Sequence, residues 1–229
     1  MVEVGAGFGS LTLALAGTGA ARVMAVEFDR ALLPALEEVV APLSNVTVRH
    51  GDALRMDLAN ELEGAPWILC ANLPYNISVP LVLTVLESVP AVTRMAVMVQ
   101  REVGERLVAV AGEDPYGAVS VRVAYRSTAK AMRKVPPSVF WPRPRVDSVV
   151  VRLDRLSAPP VDVPESDLWR VVDAGFAERR KTMRNALRRL GLGAAQADVV
   201  LADSGVAPSA RAEELSLATF AAIAERMPA

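Results

Sequence analysis

The sequence predicts an α/β fold, a mostly parallel sheet flanked by helices, followed by a small all-helical C-terminal domain. Three observations predict it. Through residues 1–155, short apolar runs alternate with amphipathic stretches, the pattern of strands joined by crossover helices. The run Ser-Ala-Pro-Pro-Val-Asp-Val-Pro at 157–164 can be neither helix nor central strand, so it marks a boundary. Beyond it the apolar spacing is helical. Domains of residues 1–156 and 165–229 are expected.

Each element has its own warrant. Residues 1–4 read as a strand already under way at Met1, followed by a glycine turn and a helix over 10–16. Apolar runs at 23–26, 46–49, 68–71 and 94–99 read as further strands, with helices expected over 30–40, 79–88 and 101–110. Residues 119–126 and 148–153 are β-rich and read as a terminal antiparallel pair. In the C-terminal domain helices are expected over 167–176, 181–190, 194–201 and 217–226, with Gly191 and Gly193 ending one of them. Leu187, Leu190, Val200 and Leu201 are expected to pack together.

Composition excludes several classes. A hydrophobic content of 52% supports a core, yet no apolar run is long enough for a membrane span and no signal-peptide layout opens the chain. One cysteine, Cys70, rules out an internal disulfide framework and fits a reducing cytosol. With one histidine, His50, it makes a His/Cys metal site improbable, so no metal is expected. The net charge of −1 hides an asymmetry: residues 1–64 carry a net −5, residues 122–155 a net +7 and residues 176–190 a net +5. Most of the cations are arginine, which suits bidentate phosphate recognition and points to an anionic partner. A solvated basic face is the plain alternative.

Four motifs fall at four successive strand ends, the ligand-binding edge of an open α/β sheet. The first, Glu3-Val4-Gly5-Ala6-Gly7-Phe8-Gly9, lets the backbone approach a ligand closely, although it lacks the Gly-X-Gly-X-X-Gly spacing of the dinucleotide fingerprint. Glu27 ends the second strand, about 20 residues on, where a carboxylate accepts from ribose hydroxyls. Asp52, after the third strand, can accept from an adenine amino group while the Ala53 amide donates to a ring nitrogen. Asn72-Leu73-Pro74-Tyr75 ends the fourth. Pro74 fixes its own φ and biases Leu73 toward extended geometry, so the turn is preset. It offers a carboxamide oxygen, a main-chain carbonyl and a flat ring, the parts needed to hold an exocyclic amino group. An Asn-X-Pro-aromatic turn of this kind marks amino-methyltransferases that use S-adenosylmethionine.

The chain closely resembles the small-subunit rRNA adenine-N6,N6-dimethyltransferases of the KsgA/RsmA type. The resemblance rests on residues 2–7, 26–27, 51–53, 72–78, 100–103, 116–117, 135–140, 144–153 and 176–187, nearly the whole length. It implies a Rossmann-like, seven-stranded class I methyltransferase sheet. It implies S-adenosylmethionine as cofactor, with Gly5 and Gly7 lining its methionine part, Glu27 at the ribose, Asp52 and Ala53 at the adenine, Phe28 among the cofactor-binding residues, and Asn72 bridging cofactor and target. The target adenine would be flipped out and held between Tyr75 and Phe140. Arg143, Arg145, Arg179, Arg180, Lys181 and Arg184 would contact phosphate. The implied substrate is 16S rRNA in the small subunit or its precursor, where two adjacent adenosines of a hairpin near the 3′ end are dimethylated. A cytoplasmic monomer without membrane contact is expected. The chain departs from the family at Ala6, where proline is common, and at Ala71, where glycine often stands. The family's segment before the first strand, with a Phe-Gly-Gln-Asn-Phe-Leu motif that closes over the cofactor, has no counterpart here, and weaker cofactor binding is expected.

Two other readings compete. One is a large-subunit, resistance-type rRNA adenine methyltransferase, against which Val135-Pro136-Pro137-Ser138-Val139-Phe140 and the Arg179-Arg180-Lys181-Thr182-Met183-Arg184 stretch speak. The other is a ribosome-assembly factor acting by binding, against which the intact Asn72 turn speaks. A dinucleotide oxidoreductase finds support in the glycine turn alone.

Overall fold

The computed structural model describes residues 1–229 except Ala65, Arg179 and Ala229. Two compact units emerge: Met1–Glu105 with Ser127–Arg155, and Arg106–Arg126 with Leu156–Ala229. The helical unit thus takes up Arg106–Arg126 as well as the residues beyond the Pro-rich boundary.

The first unit is built on β1 (Val2–Val4), α1 (Ser10–Ala16), β2 (Val23–Glu27), α2 (Leu33–Val40), β3 (Val46–His50), α3 (Leu58–Glu61), β4 (Trp67–Asn72), α4 (Ser78–Ser88) and β5 (Val92–Gln100). The helix α5 (Arg101–Val108) follows. Seven strands form one sheet in the order β3-β2-β1-β4-β5-β7-β6, where β6 is Ser127–Val135 and β7 is Ser148–Arg155. Strands β1 to β5 pair in parallel, and β7 runs antiparallel to both β5 and β6. Every residue of β1 and β2 is buried, as strands covered on both faces must be. The outer strand β6 is mostly exposed and carries Lys130, Arg133 and Lys134, charges that discourage edge-to-edge pairing.

Arg155, at the end of β7, shows how one arginine closes a helix. Its guanidinium donates to the carbonyls of Val85, Leu86, Val89 and Val92 at 2.7–3.0 Å. The first three belong to the C-terminal end of α4, whose last carbonyls have no partner within the helix. Gly104 in α5 serves packing: a Cβ there would lie 2.1 Å from Val149 Cγ1.

One expectation fails. Residues 119–126 are not a strand but the helix α6 (Ala118–Arg126), and the antiparallel partner of β7 is β6. Val119, Val121 and Val123 alternate with polar residues, which imitates a strand. Tertiary packing selects the helical period instead: Val121 and Tyr125, one turn apart, enter the core of the helical unit. Tyr125 packs edge-on against Trp169, ring centroids 5.0 Å apart. Ser120 Oγ donates to the Arg106 carbonyl and accepts from the Gly117 amide, which fixes the helix start. The sequence of β6 is too polar to advertise a strand, because an edge strand buries little.

The second unit adds α7 (Glu165–Phe176), α8 (Met183–Arg189), α9 (Ala194–Asp203) and α10 (Leu217–Glu225) to α6. Its core gathers Leu168, Val172, Met183, Leu187, Leu201 and Phe220. The Tyr116 hydroxyl donates to the Leu215 carbonyl at 2.8 Å within it. Among the described residues no helix is long and apolar enough to cross a membrane.

Candidate functional site

The sheet order reverses direction between β1 and β4, and the C-terminal strand ends around that switch point enclose a cavity of about 330 Å³. Val4, Gly5, Val26, Glu27, Phe28, Gly51, Asp52, Ala53, Pro74, Asn76 and Ile77 line it. Of the residues the sequence singled out, Gly5, Glu27, Phe28, Asp52, Ala53 and Pro74 meet at this one cavity.

The glycine turn follows β1. Gly5, Gly7 and Gly9 have φ of 77, 57 and 83°, a region that L side chains avoid. The amides of Gly5 and Ala6 both donate to the Val26 carbonyl, at 2.9 and 3.2 Å. A Cβ on Gly7 would meet nothing within 4 Å, so the backbone there faces open space. Glu27, 6% exposed, fastens the turn: Oε2 accepts from the Gly7 amide and Oε1 from the Asp29 amide, each at 2.7 Å. Each oxygen keeps a further lone pair for a ligand hydroxyl. Phe28 beside it is 71% exposed.

Behind the turn lies Glu3, 2% exposed, whose Oε2 accepts from Thr12 Oγ1 at 2.5 Å. Burial pushes its carboxyl up to about 7; the nearby Glu27 charge adds to the rise and the Thr12 bond opposes it. Glu3 stood in the glycine motif without a role of its own; the structure makes it a buried acid that ties β1 to α1.

Asp52 follows β3. Its Oδ1 accepts from the Leu54 amide at 3.0 Å, and Oδ2 lies 3.6 Å from Arg55. The Gly51 amide donates to the Glu27 carbonyl at 3.0 Å, which joins the two acidic turns. A Cβ at Gly51 would lie 2.6 Å from Met56 Sδ.

The turn after β4 is held from below. The Leu73 amide donates to the Met98 carbonyl at 3.0 Å, and the Leu73 side chain is buried. The Ile77 amide donates to the Pro74 carbonyl at 3.2 Å, and Ser78 Oγ to the Tyr75 carbonyl at 3.2 Å. No described residue hydrogen-bonds the carboxamide of the exposed Asn72 or the carbonyl of the buried Leu73. Tyr75 is 42% exposed. Phe140 sits half-buried in the β6–β7 connection, and its ring does not touch that of Tyr75. Asn76 and Ile77 line the cavity although no role was expected of them; their signal was their position directly after the Asn-Leu-Pro-Tyr turn.

The basic stretches divide into structural and uncommitted charges. Arg122 pairs with Asp173, Arg126 with Glu165 and Arg152 with Asp154. Arg184 forms a two-pronged pair with Asp198 at 2.5 and 2.7 Å, so a residue expected to hold phosphate is engaged within the chain. The Arg184 guanidinium holds the Asp198 carboxyl below the usual carboxylate range. Arg189 pairs with Glu178. Lys130, Arg133, Lys134, Arg143, Arg145, Arg180 and Lys181 have no carboxylate within 4 Å among the described residues. Arg179 lies outside the described residues. Among the described residues no group of three or more His, Cys, Asp or Glu could hold a metal ion.

Similarity to known proteins agrees with this geometry. The family model for ribosomal RNA adenine dimethylase matches residues 1–228. The chain is 43% identical to the Ribosomal RNA small subunit methyltransferase A of Acidothermus cellulolyticus, over 99% of this chain and 79% of that protein. It is 45% identical to the protein of the same name from Kineococcus radiotolerans, over 100% of this chain and 76% of that one. Among solved structures, a dimethyladenosine transferase from Plasmodium falciparum superposes with a TM-score of 0.80 at 22% identity, covering 97% of this chain and 87% of that one. The 23S rRNA methyltransferase ErmE superposes with a TM-score of 0.75 at 24% identity, covering 98% and 89%. Both establish the shared class I methyltransferase fold. With a family match across its length and relatives above 40% identity, the chain belongs to the ribosomal RNA adenine dimethylase family and is a methyltransferase.

Proposed function

We propose that this enzyme transfers methyl groups from S-adenosylmethionine to N6 of two adjacent adenosines in a hairpin near the 3′ end of 16S rRNA, taking each to the dimethyl form during small-subunit assembly. One observation carries the reading: the Asn72 carboxamide and Leu73 carbonyl stand without partners at the switch point, in the same turn as the cavity-lining Pro74. The names of the relatives favour the small subunit over the large.

The cavity fits the cofactor. About 330 Å³ is the scale of a small-molecule site, the glycine backbone faces open space, and Glu27 and Asp52 offer acceptors to a ribose and an adenine. Gly5 and Gly7 would hold the methionine part, Glu27 and Phe28 the ribose, and Asp52 and Ala53 the base. When bound, S-adenosylmethionine supplies a methyl group already activated by its sulfonium, so the chain needs no nucleophilic side chain. The task left to the protein is the adenine nitrogen, whose lone pair is delocalised into the ring. Asn72 Oδ1 and the Leu73 carbonyl accept hydrogen bonds from its two N–H groups, localise the lone pair and favour the positive charge that develops there. Tyr75 and Phe140 grip the flipped base by stacking. The released proton leaves to water. A first methylation removes one N–H, so the monomethylated base rotates or rebinds before the second. Arg143, Arg145, Arg179, Arg180 and Lys181 contact the rRNA backbone, and the enzyme works as a cytoplasmic monomer.

The test is Asn72→Ala, assayed for single-turnover transfer and cofactor affinity together. Transfer falls by a factor on the order of 10² or more, while the cofactor Kd shifts far less. Near-normal turnover would sink the mechanism.

A further inference from the structure

Trp141 is 97% exposed, more than any other large hydrophobic side chain among the described residues. It makes no ring contact and no cation–π contact with a described residue. A tryptophan left in water contributes little to folding, and its large apolar face is available to a partner. The segment that carries it, 136–147, joins β6 to β7 and contains Pro136, Pro137, Pro142 and Pro144. Each proline fixes its own φ and restricts its neighbour, so the indole is presented on a stiff support and loses little freedom when it binds. Val139, at 63% exposure, stands in the same segment.

The charge around it selects the occupant. Arg143 and Arg145 follow at two and four positions, and Lys134 is the last residue but one of β6; none has a carboxylate within 4 Å among the described residues. The acid of the segment, Asp147, faces Arg101 at 3.9 Å. An exposed indole among uncommitted cations is the composition of a single-stranded nucleic-acid platform: a ring for a base, cations for the phosphates on either side.

We propose that Trp141 stacks on an unpaired rRNA base next to the target adenosine and so positions the hairpin. This inference deepens the rRNA-methylation reading and rests on it. Trp141 touches substrate without contacting the reacting atoms, so its loss raises Kd and KM more than it lowers kcat.

The experiment titrates the wild-type chain, Trp141→Ala and Trp141→Phe with an rRNA hairpin carrying unpaired adenosines, following indole emission and binding in parallel. The other tryptophans are less accessible: Trp67 is buried, and Trp169 is half-buried and packs on Tyr125. Stacking therefore quenches emission in the wild type and the quench disappears in Trp141→Phe, whose ring keeps most of the affinity. Trp141→Ala weakens binding roughly 5- to 150-fold, the span of base–aromatic stacking, with an unchanged circular-dichroism melt. Equal affinity of Trp141→Ala and wild type would overturn the inference, as would an emission that ignores the hairpin. A loss seen on intact subunits but not on the hairpin would also overturn it, since the partner would then be a ribosomal protein. Methyl transfer by the wild type to small subunits is scored separately; its absence would sink the functional reading, whereas its presence with an indifferent Trp141→Ala would sink only this one.

Discussion

Glu27 and Asn72 both stand at the C-terminal end of a parallel strand, yet their polar groups are held in opposite ways. Both Glu27 oxygens accept backbone amides, from Gly7 and Asp29, at 2.7 Å. The Asn72 carboxamide has no partner among the described residues. Asp52 behaves like Glu27, tied to the Leu54 amide at 3.0 Å. The Leu73 carbonyl likewise has no partner, and the Tyr75 and Trp141 rings make no ring contact with a described residue. On the proposed function, the cofactor side of the site is set by the protein's own hydrogen bonds before any ligand arrives. On the same reading, the target side keeps its acceptors unpaired and the Tyr75 ring exposed for groups that only the substrate brings. Electrostatic preorganisation explains the first half, and base flipping the second, since a pocket for an extruded base must be vacant until the base leaves its stack.

The largest expected effect breaks the preset half. Glu27→Ala strips two amides of a charged acceptor, so chemical denaturation should show a loss of roughly 3–5 kcal/mol, and calorimetric titration a cofactor affinity at least about tenfold weaker. Stability with normal cofactor affinity would mean the glycine turn holds itself.

Glu3 gives the next effect. Its folded carboxyl sits near 7, above the ordinary value of 4.5. The folded state thus binds the proton more tightly than the unfolded chain. The stability this contributes is complete below about pH 4.5 and is lost as pH rises through about 7, a decline of about 2–3 kcal/mol. Denaturation midpoints from pH 4.5 to 8 should fall in the wild type and run nearly flat across that window in Glu3→Gln, which still accepts from Thr12.

On the open half the effects are electrostatic. If about five phosphates are neutralised, rRNA affinity falls with salt at a log–log slope between about −3 and −5. Arg143→Ala and Arg145→Ala should each flatten it by about 1. The smallest effect is expected at Arg184, whose guanidinium is occupied by Asp198. Arg184→Ala should leave the salt slope unchanged while the Asp198 titration, followed by NMR, moves up toward an ordinary carboxyl.

The preset half was legible in the sequence for a physical reason. A parallel sheet puts its ligand groups at successive strand ends, so Gly5, Glu27 and Asp52 announce themselves by where apolar runs stop. What escaped depends on contacts between distant segments. The helix α6 reads as a strand because valines alternate along it, and only the packing of Val121 and Tyr125 settles the matter. The polar edge strand β6 carries no apolar signal. Arg184 and Asp198 are 14 residues apart, and their pairing follows from the packing of α8 on α9. Arg155 reads as a surface cation, whereas the fold uses it to close α4.

The most direct measurement is transfer of labelled methyl from S-adenosylmethionine to unmethylated small ribosomal subunits, with large subunits in parallel and the products digested to nucleosides. The account predicts N6,N6-dimethyladenosine from small subunits and none from large. Label on large subunits, or small subunits bound but left unmethylated, would contradict it.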